Sequence, residues 1–239
     1  MKIKKLKYKD FIIYYIDDKY LELGKDIINK SEVVTEEFKV TKRNYVVKIK
    51  YQNEELILKA PRNEFRIPQR KLGTLVKKGE ARSTFENITK LIEDGFIEYV
   101  KPLLAIVKRK YGMIEESYIV FEFSDNNEKY QLEDILQLGK KMHEKGIYHG
   151  DFNMSNFLFD DGIKIIDTQG KKYWFGKYRP NYDFLTLEEN IYGRFGKEDW
   201  YNRDIWFYLA LFVKKSKRLK WIEKIKKWKK KKRDEGWKI

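Results

Sequence analysis

His149-Gly150-Asp151-Phe152-Asn153-Met154-Ser155-Asn156-Phe157-Leu158, followed by Ile165-Ile166-Asp167-Thr168-Gln169-Gly170, is the stretch that decides how this chain is read. Upstream, Leu132, Ile135, Leu136, Leu138-Gly139 and Met142 recur at helical spacing, and Gly146 ends the run. Asp151 therefore stands in a loop between a helix and the short apolar strand Phe157-Leu158-Phe159. Asp160-Asp161-Gly162 is a turn signal, so Ile163 to Ile166 is predicted to fold back on that strand as a hairpin. The hairpin brings Asn156 and Asp167 together. An amide oxygen and a carboxylate suit Mg²⁺, a hard cation that prefers oxygen ligands. Asp151 is left to orient or deprotonate a hydroxyl. Alone, Asp151 and Asn156 are ordinary turn formers. Their order with Asp167, sixteen residues after Asp151, makes that plain reading a poor one.

The 239 residues suffice for one large domain or two small ones with a sizeable core. Apolar residues make up 42% and aromatics 16%, which argues against disorder over most of the chain. Cysteine is absent, so disulfide scaffolds, thiolate nucleophiles and Cys-based zinc sites are excluded. His143 and His149 are the two histidines, too few for a three-histidine metal site.

The net charge of +15 is uneven. Residues 214–239 carry fourteen Lys/Arg against three Asp/Glu, a net of +11, which leaves +4 for the first 213 residues. The basic N-terminus is followed by an apolar run of six residues, Phe11 to Ile16, that Asp17 and Asp18 end, so it reads as a strand and not as an export signal. The longest apolar run, Ile205 to Val213, has nine residues, against roughly 18 needed to span a bilayer.

Along the first part, residues 8–16, Val33-Val34, Phe38 to Val40, Tyr45 to Ile49 and Glu55 to Lys59 read as strands of an antiparallel sheet, with Asn53 at a hairpin tip. Residues 62–78 read as basic and irregular. Glu80 to Glu93 has helical periodicity, with Ala81, Phe85, Ile88 and Leu91-Ile92 on one side and Asp94-Gly95 as its stop. Pro102 to Val107 and Tyr118 to Phe123 are further strands. Beyond Tyr182 the pattern is helical and aromatic. A mostly β first part and a mostly helical second part predict two lobes joined near Glu122–Lys129, with a small-molecule cleft between them.

His-Gly-Asp with Asn156 five residues on, and then Ile166-Asp167, resembles the catalytic loop and metal-binding Asp of the protein-kinase-like superfamily. The His-Gly-Asp form is similar to its small-molecule branch. The chain as a whole most resembles the lipopolysaccharide core heptose kinase family, over roughly residues 40 to 205. Leu58-Lys59-Ala60-Pro61-Arg62, the Gly-Glu-Ala start at Glu80, the helix exit from Leu91 to Pro102 and Glu-Ser-Tyr-Ile-Val at 116–120 carry that resemblance. It implies an α+β, protein-kinase-like bilobal fold, with a mostly β N-terminal lobe over 1–123 and a mostly helical C-terminal lobe over 124–213. It also implies transfer of the ATP γ-phosphate to a sugar hydroxyl, most naturally a heptose of the lipopolysaccharide inner core. Asp151 would be the catalytic Asp. Asn156 and Asp167 would hold Mg²⁺. Lys59 would grip the α- and β-phosphates, with Glu80 or Glu86 as its ion-pair partner. Glu122, Phe123 and Ser124 would form the hinge that meets adenine.

The chain departs from that pattern in places. No Gly-x-Gly-x-x-Gly loop precedes Lys59, and Gly24 is the single glycine before it. The phosphates must be covered by another turn, Thr35-Glu36-Glu37 or Thr41-Lys42-Arg43. Asn153 stands where protein kinases have Lys, and Thr168-Gln169 replaces Phe-Gly, which argues against a typical peptide kinase.

In the tail, 214–239, Trp221, Ile225 and Trp228 at i, i+4 and i+7 among lysines predict a basic amphipathic helix. Such a helix suits either an anionic membrane surface or the cover of the helical lobe. The expected partners are a lipid-linked oligosaccharide acceptor and, through the tail, that membrane surface. The expected location is cytoplasmic, peripheral at the inner face of the cytoplasmic membrane. No nucleic-acid partner is expected, and the oligomeric state is not legible. The alternatives carried are another small-molecule kinase, an atypical protein kinase, a degenerate kinase-fold scaffold and a nucleic-acid-binding protein.

Overall fold

The computed structural model describes residues 2–126, 131–219, Lys224, Lys227, Trp228 and Lys231. Two compact units divide the chain, the first being Met1–Asp125 and the second starting at Asn126.

The first unit is a seven-stranded antiparallel sheet flanked by helices. In chain order it runs β1 (Lys4–Tyr8), β2 (Phe11–Tyr15), α1 (Leu21–Asn29), β3 (Val33–Val40), β4 (Tyr45–Tyr51), β5 (Glu54–Ala60), α2 (Asn63–Arg66), α3 (Pro68–Gly73), α4 (Glu80–Glu93), β6 (Pro102–Lys110) and β7 (Met113–Glu122). The strand order is β1-β2-β6-β7-β5-β4-β3. The predicted single strand over 8–16 is a hairpin, because Lys9 takes a left-handed φ of 51° that reverses the chain between Tyr8 and Phe11. The first sixty residues do not close a sheet by themselves. β2 pairs with β6, and β5 pairs with β7. The basic 62–78 stretch is not wholly irregular either, since it holds α2 and α3.

Alternation sorts the side chains onto the two faces of this sheet. Ile13, Val47, Ile49, Leu56, Leu58, Leu104 and Val120 pack with Leu23 and Ile27 of α1. Tyr14, Ala105, Val107, Ile114 and Ile119 pack with Ala81 and Phe85 of α4. α4 has the bounds that its periodicity predicts, and it buries Ala81, Phe85, Ile88 and Leu91 together with Thr84 and Thr89. Gln52-Asn53 turns the β4–β5 hairpin, with Gln52 at φ 54° as a two-residue hairpin turn requires.

The second unit holds α5 (Leu132–Glu144), β8 (Ile147–Tyr148), a 3₁₀ turn at Met154–Asn156, β9 (Phe157–Phe159), β10 (Ile163–Ile165), β11 (Lys171–Lys172), α6 (Tyr178–Tyr192) and α7 (Ile205–Ser216). β9 and β10 form the predicted hairpin, with Phe157 opposite Ile165. α7 continues through Lys214, which is buried and pairs with Glu189 at 2.7 Å. The expected tail helix over 221–228 lies outside the described residues except for Lys224, Lys227 and Trp228.

Candidate active site

In the second unit the loop 149–156 is held almost entirely through its backbone. Asp183 of α6, 1% exposed, is the anchor. Its Oδ2 accepts the N–H of His149 at 2.7 Å and its Oδ1 accepts the N–H of Gly150 at 2.9 Å. His143 Nε2 lies 3.3 Å from the same Oδ2. Gly150 sits at φ 90°, where a side chain would be strained, so the glycine of His-Gly-Asp lets the chain present two successive N–H groups to one carboxylate. Beneath the loop, Phe152 is fully buried against Phe157, Phe184 and His149. α5 approaches this cluster at Gly139, where an added Cβ would come within 2.8 Å of Phe152 and 2.7 Å of Phe184.

The Asp151 side chain is exposed while its backbone is fixed. Its carbonyl accepts the Asn156 Nδ2–H at 2.7 Å and the Asn153 N–H at 2.9 Å. Only the amide nitrogen of Asn156 can donate there, so the geometry sets its amide and turns Oδ1 away from that carbonyl. Asn153 accepts the Ser155 N–H at 3.1 Å, which makes it the cap of the 3₁₀ turn. The Ile166 N–H bonds the Asn156 carbonyl at 3.0 Å, so the hairpin delivers Asp167 beside Asn156 as the turn signal implied. Asp167 has φ 57°, an uncommon conformation for a non-glycine residue and one that concentrates at functional sites.

His149 links both halves. Its Nε2 lies 3.0 Å from the Ile166 carbonyl, and its Nδ1 lies 3.3 Å from the Asp151 N–H. A carbonyl needs a donor and an N–H needs an acceptor, so the ring is the neutral Nε2–H tautomer. Burial pushes its pKa down from 6.5, against the opposing pull of Asp183 and the Ile166 carbonyl. Both ring nitrogens are committed, so His149 braces the loop and does not carry protons. The sign of the linkage follows. The unfolded chain takes up a proton near pH 6.5, whereas the folded ring resists it, so this contribution to stability is complete above about pH 6.5 and is lost as pH falls below it. Denaturation between pH 7.5 and 5.5 is expected to show wild type losing up to about 1.4 kcal/mol per pH unit from this group. His149→Gln should have a flatter profile, and an unchanged slope would contradict the assignment.

In the first unit, Lys59 lies on the interior strand β5, opposite Val46 on one side and Ile119 on the other. Cross-strand neighbours share a face, and Ile119 packs with Ala81 and Phe85, so Lys59 is on the face that α4 covers. Glu80 is the first residue of that helix, and its N–H is accepted by Glu64 Oε1 at 2.8 Å. Glu86 is engaged elsewhere, with Lys78 and Arg82 each at 2.7 Å. Those two bonds hold its carboxyl below the ordinary range although burial works to raise it.

Of the two candidate phosphate-covering turns, residues 35–37 lie within β3, which leaves Thr41–Asn44 as the turn. Arg62 donates to the Thr41 carbonyl at 3.0 Å and Arg66 donates to the Lys42 carbonyl. This turn is tied down by two arginines where the kinase pattern has glycines, and Gly24 belongs to α1. At the end of β7 the Glu122 N–H is taken by the Lys101 carbonyl at 3.0 Å, and Lys48 lies 4.5 Å from the centre of the Phe123 ring.

Residues 2–229 match the family model described as lipopolysaccharide core biosynthesis protein (WaaY). The chain belongs to the WaaY family. Among solved structures it is similar to WaaP in complex with acyl carrier protein, with a TM-score of 0.53 and 14% identity over 95% of this chain and 99% of that one. The PknI kinase domain of Mycobacterium tuberculosis aligns at a TM-score of 0.39 and 13% identity, over 70% of this chain and 76% of that one. This WaaY-family chain is α+β, with a mostly β first unit and a mostly helical second unit, and it shares the fold of the WaaP structure. Among the described residues, no helix is long and apolar enough to cross a membrane.

Asp183 and Glu64 were missed by sequence reading. A buried acid in a long helix, as Asp183 is in α6, has the same local signature as an exposed one, and both residues act on segments distant in sequence. Glu64 is mostly buried, which raises its carboxyl, and it caps α4 from sixteen residues away. Glu64→Ala should cost about 1 kcal/mol, the usual worth of a lost cap. A chemical melt of the variant beside wild type checks it, and equal stability would show that the Glu64 bond to the Glu80 N–H contributes nothing.

Proposed function

We propose that this WaaY-family chain is an ATP-dependent, Mg²⁺-dependent kinase that phosphorylates a sugar hydroxyl, a heptose of the lipopolysaccharide inner core. The observation that carries the reading is the hydrogen-bonded unit of Asp151, Asn156 and the strand before Asp167, all braced by the neutral His149. An exposed carboxylate on a fixed backbone is what a group that meets an acceptor hydroxyl requires. In this reading Lys59, on an interior strand and on the face that α4 covers, holds the α- and β-phosphates, with Glu80, the first residue of α4, as its partner.

Asn156 and Asp167 fit a magnesium ion. Mg²⁺ takes one or two protein oxygens and completes its shell with water and substrate phosphates, and here one amide oxygen and one carboxylate lie on adjoining segments. A bound ion would offset charge on the transferring phosphates. The rest falls to the chain. Lys59 orients the nucleotide, Asp151 aligns the acceptor hydroxyl and receives its proton, and the arginine-tied Thr41–Asn44 turn covers the phosphates. Glu122 has committed its N–H, so its carbonyl is what it offers to adenine.

The place of action we propose is the inner face of the cytoplasmic membrane, where a lipid-linked oligosaccharide acceptor is presented and where a tail of net +11 meets anionic lipid. Transfer of label from ATP to purified core lipopolysaccharide tests the function. Metal-dependent labelling by wild type, lost in Asp167→Ala, is the expected outcome. Nucleotide binding with no label in the glycolipid would discard the acceptor, and no nucleotide binding at all would discard the kinase.

A further inference from the structure

The N-terminal hairpin β1–β2 extends the sheet beyond β6 and, with α4, walls a cavity of about 600 Å³ in the first unit that the proposed phosphotransfer does not use. Its floor is apolar. Ile12 and Val107 are cross-strand partners, and Tyr14 lies beside them under the Arg82 guanidinium, 4.6 Å from the ring centre. Its walls are cationic, with Lys7, Lys78, Arg82, Lys108, Arg109 and Lys110 against Asp10 and Glu115 alone, a lining of net +4.

Six basic side chains around one cavity repel each other, and the fold spends bonds to keep them there. Arg109 donates to the carbonyls of Thr74 at 2.7 Å, Lys77 at 2.7 Å and Gly112 at 2.5 Å, so its charge is fixed as part of the wall. Glu86 holds Lys78 and Arg82 from the helix side, and Glu115 holds Lys108 at 3.0 Å. The remaining excess of positive charge calls for an anion. The size suits one or two sugar rings, since small-ligand sites run from about 300 to 1,000 Å³.

We infer that this cavity is a second binding site, which takes a phosphate-bearing sugar of an oligosaccharide. The sugar part of the inference rests on the family's place in lipopolysaccharide core biosynthesis and not on the phosphotransfer reading. Binding is therefore measured without ATP or metal.

The experiment is calorimetric titration of the full chain with three probes. These are oligosaccharide released from core lipopolysaccharide, the same oligosaccharide after phosphatase treatment, and inorganic phosphate. The untreated oligosaccharide should bind and the phosphatase-treated one should bind at least about tenfold more weakly, the usual scale for a lost charge-assisted hydrogen bond. The double variant Lys7→Gln/Lys110→Gln, changed at two exposed positions, should lose about tenfold or more, whereas Lys59→Ala should bind as wild type does. Equal binding by wild type and the double variant would overturn the location. Equal binding of both oligosaccharides would overturn the phosphate, and inorganic phosphate binding as tightly as the oligosaccharide would overturn the sugar. A chain that binds here but transfers no phosphate would sink the kinase reading and leave this site standing.

Discussion

Asp151→Ala is expected to lower phosphate transfer by about a thousandfold, within the 10²–10⁴ range that a positioned general base supplies. The fold should survive, because the carboxylate is exposed and the loop is held by other atoms. Its carbonyl accepts from Asn156 and Asn153, and its N–H faces His149 Nδ1, all of which alanine keeps. Nucleotide affinity and thermal midpoint should accordingly change little. Single-turnover transfer beside nucleotide binding and a melt separates these effects. A folded Asp151→Ala protein with wild-type transfer would remove the residue from the reaction.

Asp183→Ala should act in the opposite manner, through structure first. Its carboxylate receives two backbone N–H groups and faces His143 in a site that is 1% exposed. Truncation strands the buried His149 N–H at about 1–3 kcal/mol, while the N–H of the exposed Gly150 can turn to water. With about 2–4 °C per kcal/mol for a chain of this size, the midpoint should drop by about 2–12 °C. Activity should fall with it even at temperatures where the variant is folded, since Gly150 loses the partner that holds its positive φ and Asp151 follows Gly150. Asp183→Asn retains one acceptor oxygen and should lie between the two. A variant melting within a degree of wild type and fully active would show that the loop is held by Phe152 and His149 alone.

Local elements were legible where one short-range signal decided them. α4 follows from Ala81, Phe85, Ile88 and Leu91 with Asp94-Gly95 behind them, and the β9–β10 hairpin follows from Asp160-Asp161-Gly162. α1 was missed because Leu21–Asn29 is short and follows a run of acids that reads as loop, and α2 and α3 because they are shorter still and lysine- and arginine-rich. The turn of β1 onto β2 was missed because Lys9, with its positive φ, is not a residue that announces a turn.

The family, the two-part β-then-helical character and the order Lys59, Asp151, Asn156, Asp167 are properties of the sequence by itself, since residue type and spacing suffice for them. Tertiary structure alone decided that Lys59 lies on an interior strand facing α4, that Glu86 is occupied, that Thr41–Asn44 is the turn tied by Arg62 and Arg66, and that Asp183 holds the loop. The last two depend on which distant backbone groups need a partner, and the first two on which strands and side chains the fold brings alongside. A hydrogen-bond debt incurred at Gly150 and settled at Asp183 leaves no periodic trace in the chain between them.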